Sequence, residues 1–444
     1  MTGGPYQSWG RIDFGPQSGI RFDQRYSALP KRPVGTSILP YGNGRSYGDS
    51  CLNTGGALID CRHLDRFISF DVDTGVLRCE AGVLLADILD VAVPQGWFLP
   101  VSPGTRMVTV GGAIANDVHG KNHHRAGTFG CHLRCFELLR SDGKGLRCAA
   151  DENQDYFQAT IGGLGLIGLM TWAELQLKPI ANAYIDQEVI RFHNLTEFFR
   201  LSEESDADFE YTVAWIDCLA KDVSLGRGLF MRGNHAPAVA NPEPKTPRGG
   251  LSMPFAPPVS LVNRLSLRAF NALYFRRQRE DKSAGQVHYQ PFFYPLDAIA
   301  NWNRMYGPKG FYQYQCVLPP AHGETGMAEI LRTIESAGTG SFLAVLKIFG
   351  DRPSPGLMSF PRPGVTLALD FPNTGDKVRG LLDRLDKITG AYGGAVYPAK
   401  DARMSAEMFR QAYPGLEEFS KWVDPAFSSS FWRRVGGAPV QEGC

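Results

Sequence analysis

Residues 101–133 read VSPGTRMVTVGGAIANDVHGKNHHRAGTFGCHL, and this segment decides the fold of the chain. It holds six glycines and four of the nine histidines, and it has no apolar run long enough for a simple core element. Glycine lets the main chain approach a ligand closely, and a long stretch without regular structure is usually functional. The segment therefore predicts a main chain that wraps a large polar ligand, and a plain surface loop is the weaker alternative.

A shorter glycine-rich turn, GNGRSYGD, precedes this segment at residues 42–49. Successive N–H groups in such a turn form a nest for anions, and Arg45 adds a charge suited to phosphate. The turn matches neither the P-loop nor the GxGxxG pattern, and Asn-Gly is also a common hairpin signal. Taken alone, the turn leaves an anion site and a bare connection between strands both open.

Composition excludes several classes of protein. A net charge of +1 gives a nucleic-acid partner no electrostatic support. No apolar run is long enough to cross a bilayer, and the first residues lack the layout of a signal peptide. The nine cysteines form no CxxC pair, so neither a metal site nor a disulfide framework is indicated. We expect a cytoplasmic chain of 444 residues with two or three domains.

The pattern of predicted strands and helices changes near residue 181. Before it, short strands and helices alternate around the glycine-rich segments, whereas residues 181–390 predict a sheet with helices packed on it. Residues 233–260 are rich in Pro, Ala and Gly and predict a mobile loop or lid, with a plain disordered insertion as the alternative. The basic, aromatic helix expected at residues 265–279 fits either ordinary packing or contact with a membrane surface. The chain is therefore expected to be an α+β protein.

Three side chains in the second half are candidates for ligand contact. Lys347 lies in the otherwise apolar strand FLAVLKIF, and lysine is almost never fully buried unless paired. We expect it to bind a substrate phosphate or sugar hydroxyl, the alternative being an edge position with the amine in solvent. Gln313 and Gln315 alternate with tyrosines in FYQYQCVL, so one pair should face a pocket and the other the core.

Several motifs together resemble the vanillyl-alcohol-oxidase-type FAD-binding flavoproteins: GNGRSYGD, then SPGT-x-x-VTVGGAI-x-x-D-x-HGKNHH, then GGLGLIG. With FFYPLD, NRMYGP, MSFPRPG and a terminal Tyr-x-x-Lys-Asp, the HGKNHH block is similar to the family of decaprenylphosphoryl-ribose oxidases. The resemblance covers residues 9–434. It implies a two-domain flavoprotein, with an FAD-binding domain at 1–180 and an antiparallel-sheet substrate domain at 181–390. The segment 391–444 is expected to return to the FAD domain.

The resemblance also implies a set of site residues. Lys400 matches the family's lysine that reaches the reacting hydroxyl of the substrate. His119 and Tyr47 are expected at the same opening of the active site. Substrate contacts are expected from Lys347, Gln315, Gln313, Thr366 and Tyr397. FAD contacts are expected from Gly42, Asn43, Gly44, Arg45, Ser46, Tyr47, Gly48, Gly104, Thr109, Gly111, Gly112, Asn116, His119, Met170 and Tyr397. We expect FAD to be bound non-covalently, because Ser46 and Tyr47 stand where covalent relatives often supply a histidine.

The implied activity is oxidation of the 2′-hydroxyl of a polyprenylphosphoryl pentose to a 2′-keto intermediate. In the family this is the first half of an epimerisation for arabinan and cell-wall precursors, completed by a separate NAD(P)H-dependent keto-reductase. A lipid-linked substrate suggests peripheral contact with the inner membrane face. The electron acceptor, oxygen or quinone, stays open, and a flavin-binding scaffold without activity is disfavoured by the retained lysines and histidine.

Two departures from the family lie in the strand TLALDF. Ala368 stands where mycobacterial members carry a cysteine beside the flavin, and Thr366 stands where they carry an asparagine. An inhibitor that captures that cysteine should therefore fail on this chain. The departures also leave room for the alternative function, a soluble FAD-dependent sugar or alditol oxidase that uses oxygen.

Overall fold

The computed structural model describes residues 6–32, 34–238 and 251–436. The expected lid at 233–260 thus lies partly outside the described residues. The strands are β1 (Ser18–Arg21), β2 (Ile38–Tyr41), β3 (Ala57–Asp60), β4 (Phe67–Asp71), β5 (Val76–Glu80), β6 (Trp97–Phe98), β7 (Leu133–Leu139), β8 (Gly145–Ala149), β9 (Leu169–Gln176), β10 (Lys178–Pro179), β11 (Tyr184–Phe192), β12 (Tyr211–Ile216), β13 (Gly228–His235), β14 (Leu251–Ser252), β15 (Lys282–His288), β16 (Ile299–Ala300), β17 (Phe311–Leu318), β18 (Val345–Phe349), β19 (Gly364–Pro372) and β20 (Ala395–Val396).

The helices lie between these strands and after them. They are α1 (Leu85–Ala92), α2 (Val110–Ala115), α3 (His123–Ala126), α4 (Gln154–Thr160), α5 (Leu195–Ser205), α6 (Arg264–Arg277), α7 (Tyr289–Phe293), α8 (Gly323–Ala337), α9 (Asp376–Ala391), α10 (Ala406–Ala412), α11 (Leu416–Trp422) and α12 (Ser430–Arg434). Within the described ranges, none of them combines the length and the apolar character needed to cross a membrane.

The first half of the chain forms a two-stranded antiparallel pair, β10-β6, and two larger sheets. One is parallel, in the order β1-β3-β2, and the other is antiparallel, in the order β4-β5-β9-β7-β8. Helix α1 buries an apolar face at helical spacing, formed by Leu85, Ile88, Leu89 and Ala92. The long segment at 101–133 contributes α2, α3 and the loops between them, so it lies against these sheets and does not extend either of them.

The second half forms one antiparallel sheet of eight strands, in the order β15-β11-β13-β12-β18-β19-β17-β20. Side chains alternate between the two faces of a strand. On β19, Leu367, Leu369 and Phe371 are buried on the face covered by α8 and α9. Thr366, Ala368 and Asp370 therefore point to the opposite face, away from the helices. That face is the one that meets the loops of the first half.

The C-terminal segment is tied to the glycine-rich turn at residues 42–49. Strand β20 pairs with β17 in the eight-stranded sheet. Further on, Arg434 in α12 bonds the carboxylate of Asp49 at 2.7 Å and that of Asp401 at 2.8 Å. Both carboxylates are buried, so this ion triad fixes the turn and the end of the chain to each other.

Candidate active site

A cavity of about 530 Å³ lies between the loops of the first half and the exposed face of the eight-stranded sheet. This volume is within the range of cofactor and ligand sites. Its loop end is formed by residues 40–46, 102–121 and 164–170, and its sheet end by β17, β18, β19 and residues 397–400. The cavity thus has one wall made mainly of main chain and another made of side chains.

The glycine-rich turn at the loop end presents free main-chain donors. Within the part of the chain that the structure describes, the N–H groups of residues 43–46 make no hydrogen bond. Gly44 has φ +60°, and a Cβ there would lie 2.3 Å from the carbonyl oxygen of Gln7, so the turn requires glycine. Arg45 stacks on Trp9 at 4.1 Å, and its Nε is buried without a partner. These free donors and this cation fit a pyrophosphate group.

The start of helix α2, where Thr109, Gly111 and Gly112 were expected to contact FAD, has its first N–H groups bonded within the protein. Val110 and Gly111 donate their N–H groups to the carbonyl oxygens of Val83 and Ala81, at 2.9 and 2.8 Å. The N–H of Gly112 donates to Oγ1 of the capping residue Thr109 at 3.2 Å. Because these donors are already bonded, the start of α2 offers a close main-chain surface to a ligand and no free N–H groups.

The sheet end presents a row of polar side chains set by strand register. Lys347 of β18 lies opposite Thr366 of β19. On the other side of β19, Gln315 lies opposite Ala368, and Gln313 opposite Asp370. All of these side chains line the cavity, so of the two pairs that alternate in FYQYQCVL the glutamines face the pocket.

His119 joins the two ends of the cavity. Its Nε2 lies 2.9 Å from Nε2 of Gln315, and its Nδ1 lies 3.1 Å from Nζ of Lys347. Lys347 also donates to the carbonyl oxygen of Gly120 at 3.2 Å. Burial, followed by the charges of Lys347, His123 and Lys400, holds the pKa of His119 well below its usual value. Both ring nitrogens of His119 thus have partners within the protein.

Lys400 lies at the same end, over the ring of Tyr47, with its Nζ 4.0 Å from the ring centroid. Burial lowers the pKa of Lys400 to about 8, against the opposing effect of Asp370. Burial raises the pKa of Asp370 to about 7, although Gln313 donates to its carboxylate at 2.7 Å. Burial also raises the pKa of Tyr47 well above its usual value, so its phenol stays protonated. The amine of Lys400 and the carboxyl group of Asp370 are therefore the two groups of this trio that can change protonation near neutral pH.

Asp117 is a buried carboxylate that holds two loops together behind His119. It accepts hydrogen bonds from the N–H of Gly130 at 2.8 Å, from the hydroxyl of Ser354 at 2.6 Å, and from the hydroxyl of Ser359. The next residue after Ser359 is Phe360, which stacks on Tyr397 at 4.5 Å. Tyr397 in turn donates its hydroxyl to the carbonyl oxygen of Asn116 at 2.7 Å.

Most of the residues expected from the sequence line this cavity, including Gly104, Met170 and Asn116. Gly48 does not: a Cβ there would lie 1.7 Å from the carbonyl oxygen of Asp401, so its role is close packing. The lining residues that were missed include Asp370 and Lys121. The alternation that places Thr366 and Ala368 on one face also predicts Asp370, and Lys121 belongs to the HGKNHH block. Burial lowers the pKa of Lys121 to about 8.

Comparison with known proteins agrees with the geometry. Residues 32–149 match the family model described as an FAD binding domain. The chain is 38% identical over 417 residues, 90% of its length and 89% of the relative's, to decaprenylphosphoryl-β-D-ribose oxidase of Mycolicibacterium smegmatis. It is 34% identical over 371 residues, 80% of its length and all of the relative's, to an uncharacterized protein in the mprA 5′ region of Streptomyces coelicolor. It is 30% identical to human Delta(24)-sterol reductase over 118 residues, 27% of this chain and 23% of the reductase.

The matched family region contains both the turn at residues 42–49 and the segment at 101–133, the two stretches that form the loop end of the cavity. The FAD cofactor and the α+β flavoprotein fold predicted from the sequence are confirmed. The chain is an FAD-dependent oxidoreductase, and it belongs to the family of the decaprenylphosphoryl-β-D-ribose oxidases.

Proposed function

We propose that this chain oxidises the 2′-hydroxyl of a polyprenylphosphoryl pentose, of the decaprenylphosphoryl-ribose type, to a 2′-ketone. The excess of basic side chains in the cavity lining is the observation that carries the proposal. Its lining includes five basic side chains and only two carboxylates among the described residues: Arg45, Arg106, Lys121, Lys347 and Lys400 against Asp297 and Asp370. Two anionic groups, the pyrophosphate of the cofactor and the phosphate of the substrate, suit such an excess. The name of the M. smegmatis relative supports the same substrate class.

FAD, when bound, supplies the acceptor for the hydride that leaves the sugar carbon. We assign the FAD contacts to the loop end. The N–H groups of residues 43–46 and the Arg45 guanidinium would bind its pyrophosphate, and Gly104, Met170 and Asn116 would contact other parts of the cofactor. The binding is non-covalent in this proposal, because both ring nitrogens of His119 already have partners. Acid precipitation that releases all of the yellow chromophore into the supernatant supports this; colour retained in the pellet refutes it.

At the sheet end, Lys400 orients the reacting hydroxyl and accepts its proton. Its lowered pKa leaves the amine partly neutral near pH 8, which a proton acceptor requires. Asp370, on the neighbouring strand, stabilises the ammonium that results. Tyr47, whose phenol keeps its proton, is a hydrogen-bond donor to the substrate oxygen. Gln315, Gln313, Lys347, Thr366 and Tyr397 form the rest of the substrate wall.

The domain division is part of the same proposal. Residues 1–180 with 391–444 hold the cofactor, and residues 181–390 select the substrate. The tie from Arg434 to Asp49 supports the first assignment, and the place of Lys347 and Gln315 in the eight-stranded sheet supports the second. Exchange of segment 181–390 with that of a relative should change the substrate and leave the flavin spectrum unaltered.

The first experiment is anaerobic reduction of the bound flavin. Bleaching of its long-wavelength band by decaprenylphosphoryl-ribose, and not by free pentoses or alditols, is the expected result. Bleaching by free polyols, with hydrogen peroxide formed in air, would instead establish the soluble oxidase. The replacement of the relatives' cysteine by Ala368 favours that second candidate, because it alters the wall that contacts the sugar.

A second enzyme is required to complete an epimerisation, and the proposal assigns it to an NAD(P)H-dependent keto-reductase. The 2′-ketone should accumulate when this chain works alone with an electron acceptor. Addition of the reductase and NADPH should convert it to the epimeric sugar. Release of the epimer by this chain alone would remove the need for that partner.

A lipid-linked substrate also calls for docking at the inner face of a membrane, and the segment around α6 is suited to it. Leu265 and Leu273 in α6 are 80% and 70% exposed, and Phe255 on the preceding segment is 67% exposed. Arginines surround them at positions 264, 268, 276 and 277. The preceding segment is joined to the cavity rim, since β14 pairs with β16, whose Ile299 and Ala300 line the cavity. Exposed apolar groups flanked by arginines fit an anionic bilayer surface.

Sedimentation with vesicles tests this docking. The chain should pellet with phosphatidylglycerol vesicles and remain in solution with phosphatidylcholine vesicles. A double variant, Leu265→Ser with Leu273→Ser, should lose the pelleting, while Val223→Ser, also 87% exposed but outside this segment, should not. Equal loss in both variants would show that α6 is not the docking element.

A further inference from the structure

Four side chains, Thr366, Gln315, His119 and Lys347, are connected by hydrogen bonds at the sheet end. The hydroxyl of Thr366 determines where each proton of this connected set lies, which we call its proton order. The hydroxyl of Thr366 has a single hydrogen, and the carbonyl oxygen of Cys316 accepts it at 2.8 Å. Thr366 is buried at the centre of β19. Towards its other neighbour, the amide of Gln315 at 3.2 Å, the hydroxyl can therefore act only as an acceptor.

The orientation of the Gln315 amide follows from this. One terminal atom of Gln315 contacts both Oγ1 of Thr366 and Nε2 of His119, at 3.2 and 2.9 Å. If that atom were the carbonyl oxygen, Thr366 would need a second hydrogen. It is therefore the NH2 group, and it donates to both neighbours. The orientation of an amide and the tautomer of a histidine are assigned by such networks.

The tautomer of His119 is then determined. Its Nε2 accepts from Gln315, so the single proton of the neutral ring lies on Nδ1. That proton points at Nζ of Lys347, 3.1 Å away. Only one hydrogen fits between the two nitrogens, so the lone pair of Lys347 must accept it. An ammonium has no lone pair, and Lys347 is therefore a neutral amine in this arrangement.

The surroundings of Lys347 favour the same state. The ionisable groups that face it are His119 and Lys121 from the segment at 101–133, His123 at the start of α3, and Lys400 from the loop after β20. None of these is a carboxylate, and Asp370 acts on Lys400. Burial, followed by the charges of Lys121 and Lys400, lowers the pKa of Lys347 to about 7.

We propose that Thr366 is a positioning residue which, through Gln315 and His119, keeps Lys347 a neutral amine. Lys347 then has one N–H on the carbonyl oxygen of Gly120 and one N–H left for the cavity. Lys347 therefore donates a hydrogen bond to a sugar hydroxyl of the ligand. The phosphate is bound by the other basic side chains of the cavity. The assignment to a sugar hydroxyl rests on the proposed function, whereas the proton order does not.

The test reads the tautomer of His119 in the FAD-loaded protein. Histidine is labelled with 15N, and the ring nitrogens are observed by long-range 1H–15N correlation near pH 8. The signals of His119 are assigned by their loss in His119→Gln. The unaltered protein should show the proton on Nδ1. A proton on Nε2 in the unaltered protein would overturn the proposal without any variant.

Two substitutions of Thr366 then isolate its hydroxyl. Thr366→Val has nearly the same shape and removes the hydroxyl, so the Gln315 amide is free to turn and His119 should change to the Nε2–H tautomer. Thr366→Ser keeps the hydroxyl and should keep Nδ1–H. A purely structural role for Thr366 would leave the tautomer unchanged in both variants, and that result would also overturn the proposal. Because no substrate is present, failure of decaprenylphosphoryl-ribose to bleach the flavin leaves this test intact.

Discussion

At the loop end of the cavity, the N–H groups of residues 43–46 have no hydrogen-bond partner among the described residues. At the sheet end, the side-chain nitrogens of Gln315, His119 and Lys347 are bonded to one another. The first arrangement leaves main-chain donors for an external anion. The second is complete without a ligand, so its protons are ordered before a substrate arrives. One end of the site is built for affinity and the other for the control of protonation.

The strongest test of the sheet end is Lys400→Met. Removal of the proton acceptor should slow anaerobic reduction of the flavin by the lipid-linked sugar by about 10²- to 10⁴-fold. Stopped-flow absorbance measures this rate. Lys421→Met, which removes an exposed lysine of α11, is the control and should react at the normal rate. A normal rate in Lys400→Met would show that another group accepts the proton.

Arg434→Met removes the ion triad that joins the turn at residues 42–49 to the C-terminal segment. Loss of this guanidinium leaves the carboxylates of Asp49 and Asp401 buried and unpaired, which costs about 3–5 kcal/mol in the free energy of unfolding. Urea unfolding followed by tryptophan fluorescence measures the loss. Arg379→Met, which removes an exposed partner of Asp376, should leave the midpoint unchanged. Equal midpoints for the two variants would show that the triad does not hold the C-terminal segment.

The loop end is probed by Gly104→Ala. A Cβ at Gly104 meets no protein atom within 4 Å, yet the residue lines the cavity. The fold should be unaffected, and FAD binding should weaken by about 1–3 kcal/mol because the added methyl group crowds the cofactor. Titration of the apoprotein with FAD, followed by flavin fluorescence, measures this. Gly380→Ala in α9, where a Cβ is equally unhindered, should bind FAD normally, and normal binding by both would place FAD away from Gly104.

The smallest expected effect is a shift in pH dependence at the sheet end. If neutral Lys400 accepts the proton, the rate of flavin reduction rises with pH through about 8, because the ammonium below that pH cannot accept. The carboxylate of Asp370 raises the pKa of Lys400. Asp370→Asn should therefore lower that pKa and move the rise to lower pH. A shift to higher pH would contradict the coupling of the two groups.

Local sequence patterns predict much of this site. The glycines of residues 42–49 indicate an anion site because their spacing is a property of the turn itself. The alternation of strand 311–318 predicts that Gln313 and Gln315 share a face, and the position of Lys347 among apolar residues predicts that its amine faces a ligand. Each of these patterns depends on neighbours a few residues away.

The rest depends on contacts between distant parts of the chain. Nothing near Val110 in the sequence shows that its N–H is bonded to Val83, so the sequence does not tell which N–H groups of this segment are free for a ligand. Strand β1 was likewise not expected, because its residues are mostly exposed and pair with β3 nearly forty positions later. The partners of His119 come from strands about two hundred residues further on. The positions of the protons on Gln315, His119 and Lys347 are therefore set by tertiary contacts.

The ion triad of Arg434 has a consequence for biosynthesis. Asp49 is translated early, and its partner in α12 is among the last residues of the described chain to leave the ribosome. Domains generally begin to fold from the N-terminus during translation, but this tie to the glycine-rich turn cannot form until α12 has been translated. Nascent chains stalled before α12 should therefore retain FAD poorly.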